Sequence, residues 1–208
     1  MQINMKYALL AAAAVFAVGT SQAAAVESTD TYEVITLPVA EGYNLYGVSV
    51  TPISDEPQVS SVFNGIGGEF RSEGDIVAVT ASLAVDAIWY NAGESEVGLA
   101  YEVGKVKTAP ASVSVASKAT VLVPVVADFA LGSLTVEGES LGVSRYKTGK
   151  SLEISVWNTE TQSYVKYWYK TDDKWYTQLT KEDASAVQLK AGQAFYVSAN
   201  SGAATISF

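Results

Sequence analysis

The stretch SYVKYWYKTDDKWY, Ser163–Tyr176, decides the fold class, because it holds six aromatic rings among fourteen residues. Residues typical of β-strands flank TDDK, whose aspartates suit a tight turn. A strand with one wet face alternates apolar with polar residues, but here the rings occupy both parities. The stretch therefore predicts an antiparallel hairpin that carries a second aromatic face.

Parity assigns the neighbouring side chains to two faces of a three-stranded meander, Leu152–Trp157, Tyr164–Lys170 and Trp175–Leu179. We place Trp157 opposite Tyr164, and Lys170 opposite Trp175, so that side chains sort with a period of two. One predicted face is apolar and belongs to a core: Leu152, Ile154, Val156, Val165, Tyr167, Tyr169 and Tyr176. The other mixes rings with charges: Glu153, Ser155, Trp157, Tyr164, Lys166, Trp168, Lys170, Trp175 and Thr177.

The mixed face is the candidate binding surface. It is too aromatic for ordinary solvent exposure and too charged for a sandwich interior. Two interpretations stay open: cross-strand ring pairs with lysines laid over them stabilise the sheet, or the rings bind a sugar, a peptide or another subunit. The candidate residues are Trp157, Tyr164, Trp168, Trp175, Lys166 and Lys170.

Outward from this hairpin, short runs rich in Val, Ile, Tyr and Thr recur between turn residues, which is typical of an all-β protein. Most gaps are short, favouring antiparallel pairing and sheets packed face to face as a β-sandwich. Thr180–Ser185 is predicted as a helical turn or polar loop. The other predicted strands are Tyr32–Leu37, Tyr43–Thr51, Val59–Phe63, Asp75–Ser82, Val85–Tyr90, Val97–Val103, Ala111–Ser117, Thr120–Val126, Leu134–Val136, Leu141–Tyr146, Ala186–Leu189, Phe195–Ala199 and Thr205–Phe208.

Residues 1–25 predict a cleaved secretory signal: Lys6 precedes a short apolar run, and small residues surround Ala23 and Ala25. The rest divides by charge near Pro110. Residues 27–110 hold 13 acids and 3 bases, and residues 111–208 hold 9 of each. The division predicts an acidic β-rich half (26–110) and an aromatic β-rich half (111–208), as one continuous sandwich or two small ones. A weak repeat relates Gly74–Glu94 to Gly149–Gln162, each with one Trp.

The composition excludes several kinds of catalytic and metal-binding site, because the chain has no cysteine and no histidine. Thiol and histidine nucleophiles and His- or Cys-ligated metals are thereby excluded, and we expect no cofactor and no enzymatic activity. A calcium site stays open as an alternative, because three loops are acidic: Ser54–Pro57, Ser72–Asp75 and Gly93–Glu96. The abundant Asp and Glu residues also leave a two-carboxylate glycosidase as an alternative. The acidic balance argues against a nucleic-acid partner. TGKS, Thr148–Ser151, lacks the first glycine of a phosphate-binding loop.

Three segments carry a resemblance: GYNLYGVSVTP (Gly42–Pro52), SVWNTETQSYVKYWYKTDDKWY (Ser155–Tyr176) and LKAGQAFYVSANSGAATISF (Leu189–Phe208). They resemble small secreted β-proteins of the Verrucomicrobia, including an Akkermansia β-sandwich protein of a type IV pilus-like gene cluster. The resemblance implies an immunoglobulin-like sandwich in the cell envelope, acting in pilus assembly or surface contact.

These observations predict an exported, non-enzymatic protein of the periplasm, outer-membrane surface or extracellular space. Its expected partners are itself, as a homo-oligomer, other envelope proteins or host glycans. The alternative is a carbohydrate-binding module that stacks sugars on the candidate rings. A minor alternative is a small outer-membrane β-barrel, because the chain ends in a strand with a terminal phenylalanine.

Overall fold

The computed structural model describes residues 31–53, 58–64, 69–72, 75–77, 87–93, 98–110, 112–138, 152–170, 172–200 and 202–208. The predicted signal (1–25), the predicted strand Leu141–Tyr146 and the TGKS segment lie outside them. The described part is nearly all strand, which confirms the all-β, sandwich-type fold. No helix in these ranges has the length and apolarity needed to cross a membrane.

Strands of the first half build two sheets around one core. Sheet I has the order β1-β8-β3, with β4 also on β8, and sheet II has the order β2-β7-β5-β6. Inward side chains from both sheets, among them Leu37, Phe63, Phe70 and Tyr90, are almost fully buried. The strands are β1 (Tyr32–Val39), β2 (Tyr43–Gly47), β3 (Val50–Thr51), β4 (Phe63–Asn64), β5 (Glu69–Ser72), β6 (Asp75–Val77), β7 (Ala87–Asn91) and β8 (Gly98–Val106).

The second half repeats this layering. Sheet III has the order β10-β17-β13-β14-β15, sheet IV has the order β12-β18-β9, and β11 pairs with β16. A second core lies between sheets III and IV and includes Ile154, Phe195 and Ile206. The strands are β9 (Ser112–Val115), β10 (Ala119–Pro124), β11 (Phe129–Ala130), β12 (Thr135–Gly138), β13 (Leu152–Asn158), β14 (Ser163–Tyr169), β15 (Trp175–Thr177), β16 (Gln188–Leu189), β17 (Ala194–Ala199) and β18 (Ala204–Ser207).

The two halves stack through sheets II and III. Leu45 and Trp89, on the outer side of sheet II, share a hydrophobic cluster with Leu122, Trp157 and Tyr196 from sheet III. The four larger sheets are therefore layered in the order I, II, III, IV, and sheet II covers the outer side of sheet III around Trp157. This layering explains the large apolar side chains at the outward parity there.

Two glycines permit the close approach between the halves. The Gly47 N–H donates to the Gly192 carbonyl over 2.8 Å. A Cβ at Gly192 would overlap the Leu37 side chain, and a Cβ at Gly47 would overlap the Gln193 carbonyl. Gly192 also has a φ of +87°, which a residue with a side chain adopts only at a cost.

A buried carboxyl holds the crossing from sheet II to sheet I. Glu102 on β8 is fully buried and accepts hydrogen bonds from the Ser49 N–H (2.8 Å) and the Ser49 hydroxyl, in the link between β2 and β3. Burial raises the pKa of Glu102 to about 7, although the Ser49 hydrogen bonds and, more weakly, the Lys107 charge oppose the rise. The buried Ser49 amide depends on the Glu102 side chain for its hydrogen bond.

The prediction of a strand at Val59–Phe63 is wrong over most of its length. Residues Val59–Val62 form one helical turn, α1, and only Phe63–Asn64 is strand. Val59, Val62 and Phe63 are all buried. A strand would send Val62 and Phe63 to opposite faces, whereas a helical turn brings Val59 and Val62 to one side.

The predicted register is confirmed for β13 with β14 and wrong for β15. Trp157 lies opposite Tyr164, but Trp175 lies opposite Tyr169 rather than Lys170. The Lys170 N–H donates to the Lys174 carbonyl, so Lys170 belongs to the turn. The shift by one residue sends Trp175 into the core and Tyr176 to the other face.

Candidate functional site

Trp157 and Tyr164 belong to an aromatic cluster between the halves. The inter-half cluster consists of Tyr43, Trp89, Trp157, Tyr164 and Tyr196. The ring centroids of Trp89 and Trp157 lie 4.9 Å apart, and those of Trp157 and Tyr164 lie 5.1 Å apart. Both pairs are edge-to-face, as is Tyr164 with Tyr196 at 5.8 Å. This is the interlocked geometry of a packed contact rather than a flat stacking platform.

Hydrogen bonds fasten the β13–β14 turn to the turn between β1 and β2. The Trp157 indole N–H donates to the Tyr43 carbonyl over 2.8 Å. The Gln162 amide accepts from the Tyr43 N–H (2.7 Å) and donates to the Glu41 carbonyl (3.0 Å). Gln162 holds this position with a φ of +49°. A residue predicted only as part of a loop thus joins the two halves.

Tyr164 in the inter-half cluster is a neutral phenol at physiological pH. Burial, and next the neighbouring Tyr196 hydroxyl, raise the pKa of Tyr164 to about 12. The neutral phenol suits a contact with few compensating charges. Ionisation of Tyr164 should therefore not weaken this contact between pH 5 and 9.

Trp168 and Lys166 lie apart from this cluster, around Glu153. The Glu153 carboxylate accepts from the Trp168 indole N–H (3.0 Å), Lys166 Nζ (2.7 Å) and the Ser155 hydroxyl (3.2 Å). Lys181 Nζ lies 4.5 Å from the Trp168 ring centroid. Trp168 is buried, so its ring is already covered within the chain.

Lys170 and Trp175 occupy two further places. Lys170 Nζ lies 3.3 Å from the Tyr176 ring centroid, as expected for a lysine laid over a ring. Trp175 is fully buried against Tyr169, so the prediction that it belongs to the exposed surface is wrong. Trp157, Tyr164, Lys166 and Trp168 thus share one face of sheet III as predicted, in two neighbouring contacts, whereas Trp175 lies on the opposite face.

Several residues of the inter-half contact were not predicted, namely Tyr43, Trp89, Gln162 and Tyr196. The weak repeat held a signal for one of them, because it aligned the Trp of β7 with the Trp of β13. These two tryptophans are in contact in the structure. The other three had no signal in the sequence, because residues from separate strands and turns meet there only through tertiary packing.

The terminal layers of the stack differ sharply in composition. The outward side chains of sheet IV include Ser112, Ser114, Thr135, Glu137 and Thr205. On sheet I the outward side chains form an outer apolar face, in which Lys105 is the single charged member. That face includes Tyr32, Val34, Thr36, Pro38, Leu99, Tyr101, Val103 and Lys105 of β1 and β8, and Thr51 of β3 beside Lys105.

Large apolar side chains of this face are exposed together. Tyr32 and Val34 on β1 are each 41% exposed, and Leu99 and Tyr101 on β8 are 52% and 39% exposed. The β1–β8 register places Val34 opposite Val103 and Pro38 opposite Leu99, so the apolar residues are neighbours rather than scattered. A contiguous apolar surface on an acidic chain is typical of a contact site.

A cleft of about 300 Å³ opens beside Trp157, where the β13–β14 hairpin meets β16. Val156, Val165 and Tyr167 form its floor, and its rim carries amides and a carboxylate from Asn158, Glu160, Gln188 and Gln193. The volume is at the lower end of the range for small-ligand pockets, about 300–1,000 Å³. Amide and carboxylate groups on this lining suit a polar ligand that donates hydrogen bonds, such as a sugar.

The predicted calcium loops lie largely outside the described residues. Within the described ranges, no three acidic, histidine or cysteine side chains stand close enough together to hold a metal ion. No family model matches the chain, and neither a curated protein nor a solved structure is significantly similar to it.

Proposed function

We propose that this protein is an exported, non-enzymatic component of the bacterial cell envelope that acts by contact, in surface assembly or adhesion. The leader-like N-terminus supports export. The resemblance of Gly42–Pro52 and Leu189–Phe208 to secreted Verrucomicrobial β-proteins supports a location in the cell envelope and a role related to pili. The contact surface is the outer apolar face of sheet I.

One observation carries the proposal: of two terminal layers in one stack, sheet IV presents hydroxyls and sheet I presents exposed Tyr32, Val34, Leu99 and Tyr101. Solvation alone requires no such difference, since both outer faces meet the same solvent. Exposed aromatic and aliphatic side chains in one patch are typical of protein–protein contacts.

We expect the double variant Leu99→Ser, Tyr101→Ser to lose envelope association at least several-fold. The two side chains provide exposed apolar area but little of the core, so the fold should be kept. The measurement is fractionation of the producing bacterium into cytoplasm, periplasm, envelope and medium, with the protein quantified in each.

Leu179→Ser is the matched control, because Leu179 is 92% exposed and lies in the turn after β15, away from sheet I. The proposal fails if the native chain stays in the cytoplasm, or if the double variant and the control distribute as the native chain does.

The cleft beside Trp157 favours a second candidate function, binding of a neutral sugar. The expected result is sugar-dependent quenching of tryptophan fluorescence with mucin glycans, weakened at least tenfold by the double variant Gln188→Ala, Gln193→Ala. Trp168→Ala serves as control, because Trp168 does not line the cleft. Quenching that survives the glutamine changes, or is absent at millimolar sugar, rejects this candidate.

A further inference from the structure

Strand β1 is the edge of sheet I, and its backbone hydrogen-bonding groups alternate in direction. The Val106 N–H donates to the Thr31 carbonyl over 2.8 Å, which fixes the phase of the β1–β8 ladder. Thr31 and the alternate residues Glu33 and Ile35 therefore bond to β8, while Tyr32, Val34 and Thr36 direct N–H and C=O groups outward. Among the described residues these outward groups have no hydrogen-bond partner.

The C-terminal end of β1 is not available for pairing with another strand. The Pro38 carbonyl accepts a hydrogen bond from the Tyr46 hydroxyl over 2.9 Å, and Pro38 has no N–H. The loop at Gly192 packs on Leu37. The available edge is thus the segment Tyr32–Thr36.

This segment contains no lysine, proline or bulge, and no strand within the described ranges pairs with its outer edge, although it carries one inward-pointing charge, Glu33, and the Gly192 loop approaches Ile35. Its sequence, YEVIT, is composed mainly of strong strand formers, and Tyr32 and Val34 are exposed. Free backbone groups beside an apolar face provide both parts of a strand-pairing site, namely hydrogen bonds and side-chain burial.

We propose that two copies of this chain pair antiparallel through Tyr32–Thr36, with Val34 of one copy opposite Val34 of the other. The inference rests on the proposed contact function and names its first partner, a second copy. In this register Tyr32 faces Thr36 of the second copy, so the outward groups of both strands bond in full.

The register keeps the charged side chains from lying directly opposite each other. Glu33, the single charged residue of the segment, comes opposite Ile35 of the second copy, and the two Glu33 side chains lie on a diagonal. Pairing also joins the outer apolar faces of the two copies across one continuous sheet.

The register predicts the outcome of a charge exchange at one position. Val34→Lys alone and Val34→Glu alone place like charges directly opposite, and each should weaken self-association at least tenfold. An equimolar mixture of the two variants should restore pairing as a heterodimer. The measurement is sedimentation equilibrium on the full chain, expressed with its own leader so that natural processing is retained.

Thr36→Pro tests the backbone separately, since it removes an outward N–H without disturbing the β1–β8 ladder. It should give monomers, whereas Thr36→Ala, which keeps the N–H, should still dimerise. Thr135→Lys is the charge control, because Thr135 is exposed on β12, an edge strand of sheet IV. Circular dichroism confirms that each variant is folded.

Hydrogen exchange reads the same contact, as the Val34 and Thr36 amides should be protected in native dimers and exchange freely in the Val34→Lys monomer. A native chain that is monomeric at millimolar concentration, or dimers unaffected by both Val34→Lys and Thr36→Pro, overturns the inference. If the native chain is monomeric while Leu99→Ser, Tyr101→Ser still loses envelope association, only self-pairing is rejected and the contact function stands.

Discussion

Replacing Trp157 by alanine is expected to separate the unfolding of the two halves. Trp157 contacts the Trp89 ring and donates its indole N–H to the Tyr43 carbonyl, and both partners belong to the first half. Truncation should cost about 2–4 kcal/mol, since it removes a large half-buried ring and leaves a gap between sheets II and III. Unfolding in urea followed by far-ultraviolet circular dichroism should change from one transition to two.

Trp168→Ala is the matched control for this effect. Trp168 lies on the same sheet and on the same face, but it binds Glu153 within the second half. Its loss should destabilise the second half without separating the two transitions. Gln162→Ala should weaken the coupling by a smaller amount, about 1–2 kcal/mol, through its lost hydrogen bonds to residues 41–43. Two transitions in Trp168→Ala, or a single one in Trp157→Ala, would contradict the assignment of the joint.

The second large effect is a loss of stability with rising pH that originates at Glu102. The folded chain holds a proton on Glu102 up to about pH 7, whereas the unfolded chain releases it near 4.5. The contribution to stability is therefore fully present below pH 4.5 and is lost as the pH rises through 7. A difference of this size corresponds to roughly 3 kcal/mol. Because the chain has no histidine, few other groups titrate in this window.

Glu102→Gln should abolish this pH dependence and keep the stability of the protonated form. The glutamine oxygen can accept from the Ser49 N–H, and its amide can donate to the Ser49 hydroxyl oxygen. Glu102→Ala should instead cost about 2–4 kcal/mol at pH 5, since the buried Ser49 amide loses its acceptor. Urea unfolding at pH 5, 6, 7 and 8 measures both. An unchanged slope with pH in Glu102→Gln would reject Glu102 as the source.

Local pattern was sufficient for most strands and for the parity of the central hairpin. The alternation over Leu152–Trp157 and Tyr164–Tyr169 depends only on the two-residue period of a strand, and Trp157 does lie opposite Tyr164. The register of β15 failed because it depends on the length of a turn. One extra residue before Trp175 reverses every later side chain.

The predicted exposure of the candidate residues was only partly correct, for a different reason: Tyr164 is exposed, whereas Trp168 and Trp175 are buried. The outward-facing rings were correctly predicted to pack against other groups. The sequence does not show whether those groups belong to a partner or to another part of the chain. Trp89 lies 68 residues before Trp157, and no local rule joins them. The outer apolar face of sheet I was missed because Tyr32, Val34, Leu99 and Tyr101 alternate with buried residues as core strands also do.

Composition and two-residue periodicity are local properties, so they were sufficient to predict an all-β chain without thiol or imidazole chemistry and with rings on both sides of one sheet. Which apolar faces cover one another followed from tertiary packing. The stacking of sheet II on sheet III covered part of the predicted surface, around Trp157, and the terminal position of sheet I left its outer face exposed. Which surface stays exposed depends on the order of the layers, and that order is set by packing between residues far apart in the chain.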